Sequence, residues 1–373
     1  HVSLFRDSKG RDPETLLRMW PTLTDVAEAV DSAGSTVAVV VAAARDALVE
    51  RGRVAYHFVR DPALLWPGER RPWVLPTRLG RRVRSLEPDV IHAHGFIAPI
   101  ATWWVRRMLP DVPMLLQDHG GQPPSGWRGA IARHCWQTLS AVCFTDPAQA
   151  QPYLDEGLLR TDLPIFGVIE SSTRFTPGSC AAARVQLGVH GSPCVAWVGR
   201  LNANKDPLTV LDAFGQAAPA LPDPHLWCCY RDAPLLSDVC ERINSTPALR
   251  GRVHLLGSLP HGAVQSLLRA SDFLMLGSHR EGSGYAVLEA LACGVTPVVT
   301  DIPSFRRLTD DGRVGGITPI GDAAAMARLL LQWWGKPQPD RRRIALDHFV
   351  RQLSFPTIGH QLRSVYEALA RER

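Results

Sequence analysis

The sequence predicts an α/β protein of two domains, each a parallel sheet with helices on both faces. Three observations lead there. At 373 residues the chain exceeds what one hydrophobic core usually serves, so two domains are the default. Short apolar runs alternate with segments of helical periodicity, the order that builds parallel sheets. The alternation then pauses at Pro164 to Gly178, which holds Pro, Gly and a Ser-Ser-Thr cluster, before a second series begins. The expected boundaries are 1–170 for a first Rossmann-like domain, 171–345 for a second that faces it across a cleft, and 346–373 for a terminal helix packing back on the first.

His1 to Phe5 reads as a short strand. Leu16 to Ala33 has helical periodicity, with Leu17, Trp20, Leu23, Val26, Ala27 and Val30 on one side. Between them Arg6 to Glu14 is a loop whose one glycine is Gly10. Val37 to Val41 is a buried strand, Arg45 to Glu50 a short helix and Val54 to Val59 another strand. A basic helix at Thr77 to Ser85 leads to Pro88–His94, a strand ending in His92 and His94. Trp103 to Met108 is helical and Pro113 to Gln117 a strand, followed by Asp118, His119 and two glycines; Ala130 to Leu139 is a helix and Ala141 to Phe144 a strand.

In the second series Cys194 to Val198, His225 to Cys229 and Val253 to Leu256 are strands, and Pro207 to Ala217 and His261 to Arg269 are helices. Phe273 to Gly277 and Val295 to Thr300 are strands on either side of a glycine-rich start and a helix. Asp322 to Trp334 is an amphipathic helix, and Ile344 to Leu369 supplies one or two more.

Composition narrows the function classes. Hydrophobic content of 45% and charged content of 21% are ordinary for a soluble globular protein. The longest aliphatic run, Val37 to Ala44, is far shorter than a membrane span of about 18 residues or more. His1 to Phe5 lead directly into polar residues, unlike a secretory leader, and a chain starting at His1 is expected to have lost a few native residues. The 8 cysteines form no Cys-x-x-Cys pair and several fall in apolar strands, which fits free thiols in a reducing cytoplasm; Cys228-Cys229 reads as strand packing. A net charge of +5 gives no sign of nucleic-acid binding. Lysine is scarce, with only Lys9, Lys205 and Lys336, so one beside a predicted site carries weight.

The chemistry concentrates between His279 and Gly294. Gly282, Ser283 and Gly284 open a helix where amides can approach a ligand closely, and a helix start with unpaired N–H groups suits a phosphate. Glu281 stands before that mouth and Glu289 eight residues on, about 12 Å along a helix. A nucleotide sugar has a similar extent. One carboxylate at each end could accept hydrogen bonds from hydroxyls while the amides between hold the diphosphate. Taken alone, the stretch is equally a capped helix with solvated glutamates. Arg200 and Lys205 follow another strand and would neutralise a departing diphosphate, or form a solvated loop. His119 sits at a strand's carboxyl end, where α/β crevices form. A metal held by His92, His94 and His119 would need a further ligand such as Asp118; the expectation is none.

Glu281 to Glu289 resembles the Glu-x7-Glu motif of the retaining glycosyltransferases of family 4, which have the two-domain GT-B fold. The resemblance runs from about Pro88 to the C-terminus and is strongest from Val195 to Thr300. It implies that Glu281 contacts the transferred sugar, the amides of Gly282, Ser283, Gly284 and Tyr285 the phosphates, and Glu289 the ribose. It also implies that Arg200 and Lys205 bind the diphosphate, and that His119 reaches the sugar from the first domain as the cleft closes. The implied activity is metal-independent transfer of a hexose, with retention and without a cofactor, from a nucleotide diphosphate sugar to a sugar, lipid-linked or small-molecule acceptor. Two stretches depart from the family pattern. The first loop reads Arg6-Asp-Ser-Lys-Gly-Arg-Asp12 where the family has a glycine pair, and the strand from His225 runs into Tyr230-Arg-Asp-Ala-Pro234 instead of a glycine-rich turn.

Two rivals remain at this stage: a catalytically silent GT-B nucleotide-binding protein, and a Rossmann dinucleotide oxidoreductase. The oxidoreductase needs a third glycine after Gly282-Ser-Gly284 that the sequence lacks. Arg70, Arg71, Arg78, Arg81, Arg82 and Arg84, with Trp66, Trp73 and Leu75, form a basic stretch that is either a solvated face or a contact with anionic lipid at the inner face of a membrane or with a negatively charged acceptor.

Overall fold

The computed structural model describes residues 1–3, 11–19, 21–61 and 75–371. Phe5, the loop from Arg6 to Gly10, Trp20, and Trp66, Arg70, Arg71 and Trp73 of the basic stretch lie outside the described residues. The chain divides into two compact units, His1–Ser172 with Phe355–Arg373, and Thr173–Ser354.

The first unit is built on β1 (Val2–Ser3), β2 (Ala38–Ala43), β3 (Ala47–Arg51), β4 (Val54–Arg60), β5 (Ile91–His94), β6 (Met114–Gln117), β7 (Ala141–Phe144) and β8 (Ile165–Gly167). They lie in the order β3-β4-β2-β1-β5-β6-β7-β8. Apart from the antiparallel β3–β4 edge, every pair is parallel. The helices are α1 (Pro13–Met19), α2 (Pro21–Ser32), α3 (Thr77–Arg84), α4 (Pro99–Met108), α5 (Gly126–Trp136) and α6 (Gln151–Asp155). Strands covered on both faces read as continuous apolar runs, as Val39, Val40 and Val41 do in β2, each at most 2% exposed. Phe96, Trp136, Phe144 and Tyr153 fill the core under β5 to β7, with ring centroids of Phe96 and Trp136 4.9 Å apart.

The second unit holds α7 (Cys180–Leu187), β9 (Cys194–Gly199), α8 (Pro207–Ala217), β10 (His225–Tyr230), α9 (Leu236–Ser245), β11 (Val253–Gly257) and α10 (His261–Ala270). After them come β12 (Phe273–Leu276), α11 (Tyr285–Cys293), β13 (Thr296–Thr300), α12 (Pro303–Leu308), β14 (Gly316–Thr318), α13 (Ala323–Trp334) and α14 (Gln338–His348). Its strands run in the order β11-β10-β9-β12-β13-β14, all parallel. A π-helical turn at Phe349–Leu353 follows α14. The final helix, α15 (Phe355–Arg371), belongs to the first unit, where it packs on α2 and Arg363 donates to the carbonyl of Ala33.

Two expectations are corrected and the bounds of a third are redrawn. Arg45 to Glu50 is not a helix: Gly52 turns the chain back at φ +60°, and Ala47–Arg51 pairs antiparallel with β4 as an edge strand. The helix expected over Leu16 to Ala33 is seen as Pro13–Met19 and Pro21–Ser32, starting a turn earlier than expected, with Trp20 between them outside the described residues. The connection from Pro164 to Gly178 contains β8, the last strand of the first sheet. Three residues between turn-formers are too few to show a strand's alternation.

Candidate functional site

In the second unit the strand order reverses at β9 and β12, which pair directly. At such a switch point the loops leaving adjacent strands diverge and open a crevice at the carboxyl ends. The loop after β9 carries Arg200 and Lys205, and the loop after β12 carries Glu281 and the start of α11.

The two loops are tied together by backbone and side chain. His279 N donates to Asn204 O at 2.8 Å, and Asn204 Nδ2 to Arg280 O at 3.0 Å. Asp206, in the left-handed region at φ +40°, caps α8 by accepting from Thr209 N at 3.1 Å, and its carboxylate lies 3.1 Å from His279 Nε2. Lys205 is aimed by its own backbone, since Lys205 N donates to the Asn202 side chain at 3.0 Å. Its ammonium forms an ion pair with Glu281 Oε1, and Ser278 Oγ donates to that same oxygen at 2.7 Å. Both partners are largely buried, with side chains 20% and 13% exposed, so solvent screens this charge pair little.

Arg200 stands at the carboxyl end of β9 but turns to Asp232, with Nε 3.3 Å from Oδ2 and both side chains more than half exposed. Leu201 N donates to Asp232 O at 2.8 Å, so the stretch that replaces a glycine-rich turn after β10 braces the Arg200 loop.

Helix α11 starts at Tyr285 with Gly284 as its N-cap at φ +66°. A Cβ there would lie 2.9 Å from Phe305 Cε1, so only glycine allows this close turn. Glycine at the cap also leaves no side-chain oxygen over the helix start, where the macrodipole favours an anion. Ser283 is buried and Tyr285 exposed. Glu289 lies one turn further along with His261 Nε2 2.9 Å from its Oε1. Burial pushes the Glu289 carboxyl above its ordinary range, and the hydrogen bond and charge of His261 oppose the shift.

In the first unit His119 follows β6 in the same way. Its Nδ1 pairs with the buried carboxylate of Glu170, just beyond β8, and its Nε2 lies 3.2 Å from His94 Nδ1. Ser3, Thr22, Leu23, Val26, His94, His119 and Glu170 line a cavity of about 240 Å³. His92 is turned away from it, with Nδ1 2.6 Å from the Tyr366 hydroxyl on α15. Burial holds both His92 and His94 well below the usual histidine range, so both are neutral at pH 7. The Asp118 carboxylate accepts from the amides of Gly120 and Gly121 at 2.8 and 3.2 Å. Burial raises its pKa, and those two amides work against the rise.

The sequence residues thus fall into two groups. Lys205 and Glu281 are in contact, with Gly282 to Tyr285 and Glu289 following on one helix. Arg200 pairs with Asp232 at the end of β9, and His119 belongs to the other unit. Glu170, Asp232, His261 and Ser278 were not singled out from the sequence. Each acts on a site residue through the fold, and Glu170 and His119 lie 51 positions apart with no local pattern joining them.

Comparison with known proteins finds a family match in each unit. Residues 182–345 match the family described as glycosyl transferases group 1, and residues 21–154 match glycosyltransferase family 4. The phosphatidyl-myo-inositol mannosyltransferase of Mycobacterium leprae is 24% identical over 76% of this chain and 74% of its own length. The GDP-mannose:cellobiosyl-diphosphopolyprenol alpha-mannosyltransferase of Xanthomonas campestris is 24% identical over 82% and 80%. Among solved structures, Anabaena HepE in complex with UDP and glucose superposes with a TM-score of 0.66 at 18% identity, covering 98% of this chain and 99% of that one.

Proposed function

The chain belongs to the group 1 glycosyl transferases, GT-B enzymes of family 4 that use nucleotide sugars, and from that premise we propose which of its residues perform the transfer. The carrying observation is the Lys205–Glu281 pair at the β9/β12 switch point, beside the start of α11. As the bond between the anomeric carbon and the donor diphosphate breaks, negative charge grows on the diphosphate. Lys205 is positioned to meet it, with Arg200 and the amides of Gly282 to Tyr285. Glu281, held by Lys205 and Ser278, orients hydroxyls of the transferred sugar, and Glu289 accepts from the ribose. Loss of the diphosphate and capture of the anomeric carbon by an acceptor hydroxyl, whose proton passes to the departing diphosphate, complete the transfer, with the retention usual in this family.

In the first unit, His119 with Glu170 behind it is the group assigned to the sugar. A carboxylate on Nδ1 fixes the ring, and Nε2, 3.2 Å from His94 Nδ1, is the atom assigned to the sugar hydroxyl in place of that contact. The cavity at Ser3, Thr22 and His94 offers hydroxyls and an imidazole to a polar acceptor. The test is a thermal-shift and hydrolysis screen of nucleotide sugars. UDP or GDP derivatives should stabilise the protein and be hydrolysed slowly without acceptor. Stabilisation without any turnover would instead favour a silent nucleotide-binding protein, and stabilisation by NAD alone would refute the donor site.

A second observation bears on the acceptor. Arg78, Arg81, Arg82 and Arg84 are exposed on α3, and Leu48 on the neighbouring edge strand is 53% exposed. Among the described residues no helix is long and apolar enough to cross a membrane. We infer a peripheral contact of this face with an anionic surface, which suits an acceptor carried on a lipid. The two curated relatives named above have a phosphatidyl-inositol and a diphosphopolyprenol acceptor in their names.

A further inference from the structure

The amino-end rim of the second sheet, opposite the donor loops, gathers three imidazoles. His190 lies in the turn before β9, His225 is the first residue of β10 and His254 the second of β11. Strand register sets His225 beside Cys194 and Trp227 beside His254, which brings the rings together at one edge. One nitrogen from each of the three lies within 4.8 Å of the others. His225 Nδ1 is 2.9 Å from His254 Nε2, while His225 Nε2 is 3.2 Å from Asp223 Oδ1.

The surroundings hold these rings in place. Trp227 stacks on His254 with centroids 3.8 Å apart and donates from Nε1 to the His190 carbonyl at 2.9 Å. Gly191 has φ +137°, and a Cβ on it would lie 3.1 Å from the His225 Cβ, so glycine is what lets His190 run alongside. Ser192 and Asp223 exchange backbone hydrogen bonds of 2.6 and 3.0 Å, which set the Asp223 carboxylate next to His225.

We propose that His190, His225 and His254 form a binding site for a late first-row divalent metal ion of the zinc type, with Asp223 as the outer support. The chemistry fits in three ways. Imidazole nitrogen is a preferred donor for such ions, and three of them leave a position for water. With Asp223 accepting from Nε2–H, His225 is fixed in the tautomer whose Nδ1 lone pair faces His254, the carboxylate–histidine–metal relay. Ligand nitrogens about 2.0–2.1 Å from a tetrahedral ion stand about 3.3 Å apart. The His225–His254 pair therefore opens slightly, and exposed His190 swings inward. A bound ion would tie the approach to β9 to the starts of β10 and β11, away from the donor loops.

The experiment is calorimetric titration of the chelator-stripped full chain with zinc chloride, with cobalt(II) absorption as the geometric readout. Wild type should bind zinc in the micromolar range or tighter and give the visible bands of tetrahedral cobalt. Asp223→Asn should weaken zinc binding by about 10-fold or more, as loss of outer support does. His190→Gln and His254→Gln should each abolish the cobalt bands while donor-nucleotide affinity stays unchanged. His190 is exposed, so its variant keeps the test readable if His254→Gln fails to fold. Wild-type zinc affinity in His190→Gln, or no zinc binding by the folded wild type, would overturn the proposal and leave the donor-site reading untouched.

Discussion

The ammonium of Lys205 and the carboxylate of Glu281, 76 residues apart in sequence, meet at the base of the crevice between β9 and β12. Removing the lysine takes the ion pair from Glu281 and strips the cation from the place where diphosphate charge develops. Lys205→Ala should lower turnover by about 10²–10³-fold, the scale of losing one preorganised electrostatic group, and weaken donor diphosphate binding. Arg200→Ala should have the smaller effect on binding, since its pair with Asp232 is exposed and screened. Because Lys205 and Glu281 act as a unit, Lys205→Ala combined with Glu281→Gln should lose less than the product of the single losses. Steady-state kinetics on the four variants decides it; fully multiplicative losses, or unchanged turnover in folded Lys205→Ala, would remove the pair from the mechanism.

Glu289 predicts a different kinetic signature. Its proposed ribose contact exists before and during reaction, so Glu289→Gln should raise the donor KM with little change in kcat, whereas Glu281→Gln should depress kcat. Burial has raised the Glu289 carboxyl, so its charge is lost at a higher pH than that of an exposed glutamate as the solution is acidified. Donor affinity in wild type should therefore begin to fall above the ordinary glutamate range, and Glu289→Gln should flatten that part of the profile. Superimposable pH profiles would contradict the ribose role.

How far sequence reading reached depends on the range of the interactions involved. Helix α8 runs over Pro207–Ala217 as expected, because Asp206 and Pro207 are a cap and a first-turn proline that act within a few residues. The start of α11 was foreseeable for the same reason, since its glycines are a local feature. Strand β3 was missed because its exposed alternation is that of an edge paired on one side only, and Ala47, Leu48 and Glu50 also suit a helix. Asp232 as the partner of Arg200, and Glu170 as the partner of His119, arise only once parallel strands bring distant loop ends together. No spacing in the chain encodes that.

His92 and His94 should make the first unit acid-sensitive. Both are buried, and burial holds them neutral well below the usual histidine range. In the unfolded chain they take up protons as pH falls below about 6.5, while in the fold they do not. Their contribution to stability is thus fully present above that value and is lost as pH falls below it. Each adds a slope of up to about 1.4 kcal/mol per pH unit, so together up to about 2.7. Urea unfolding at several pH values should show that decline, and His92→Gln, which can keep a hydrogen bond to Tyr366, should roughly halve the excess slope. Equal slopes in the two proteins would mean that His92 titrates alike in folded and unfolded states.

The arginines of α3 supply the last prediction. Arg78 is partly neutralised by Asp46 at 2.7 Å, and Arg82 Nη2 lies 3.0 Å from His57 Nδ1, while Arg81 and Arg84 stay exposed along the same short helix. Spacing of three and four residues sets Arg78, Arg81 and Arg82 on one face. Each arginine close to an anionic surface contributes about 1 kcal/mol. Two to four of them give reversible attachment that salt within a short Debye length removes. Sedimentation with phosphatidylserine-containing vesicles should carry the protein down at low salt, leave it in the supernatant at high salt, and show no uptake by neutral vesicles. Arg81→Glu with Arg84→Glu should abolish the low-salt binding while nucleotide-sugar hydrolysis without acceptor is unchanged, since neither residue belongs to the donor unit. Equal partitioning to neutral and anionic vesicles would leave the arginines as a solvated face and the acceptor to be sought among water-soluble sugars.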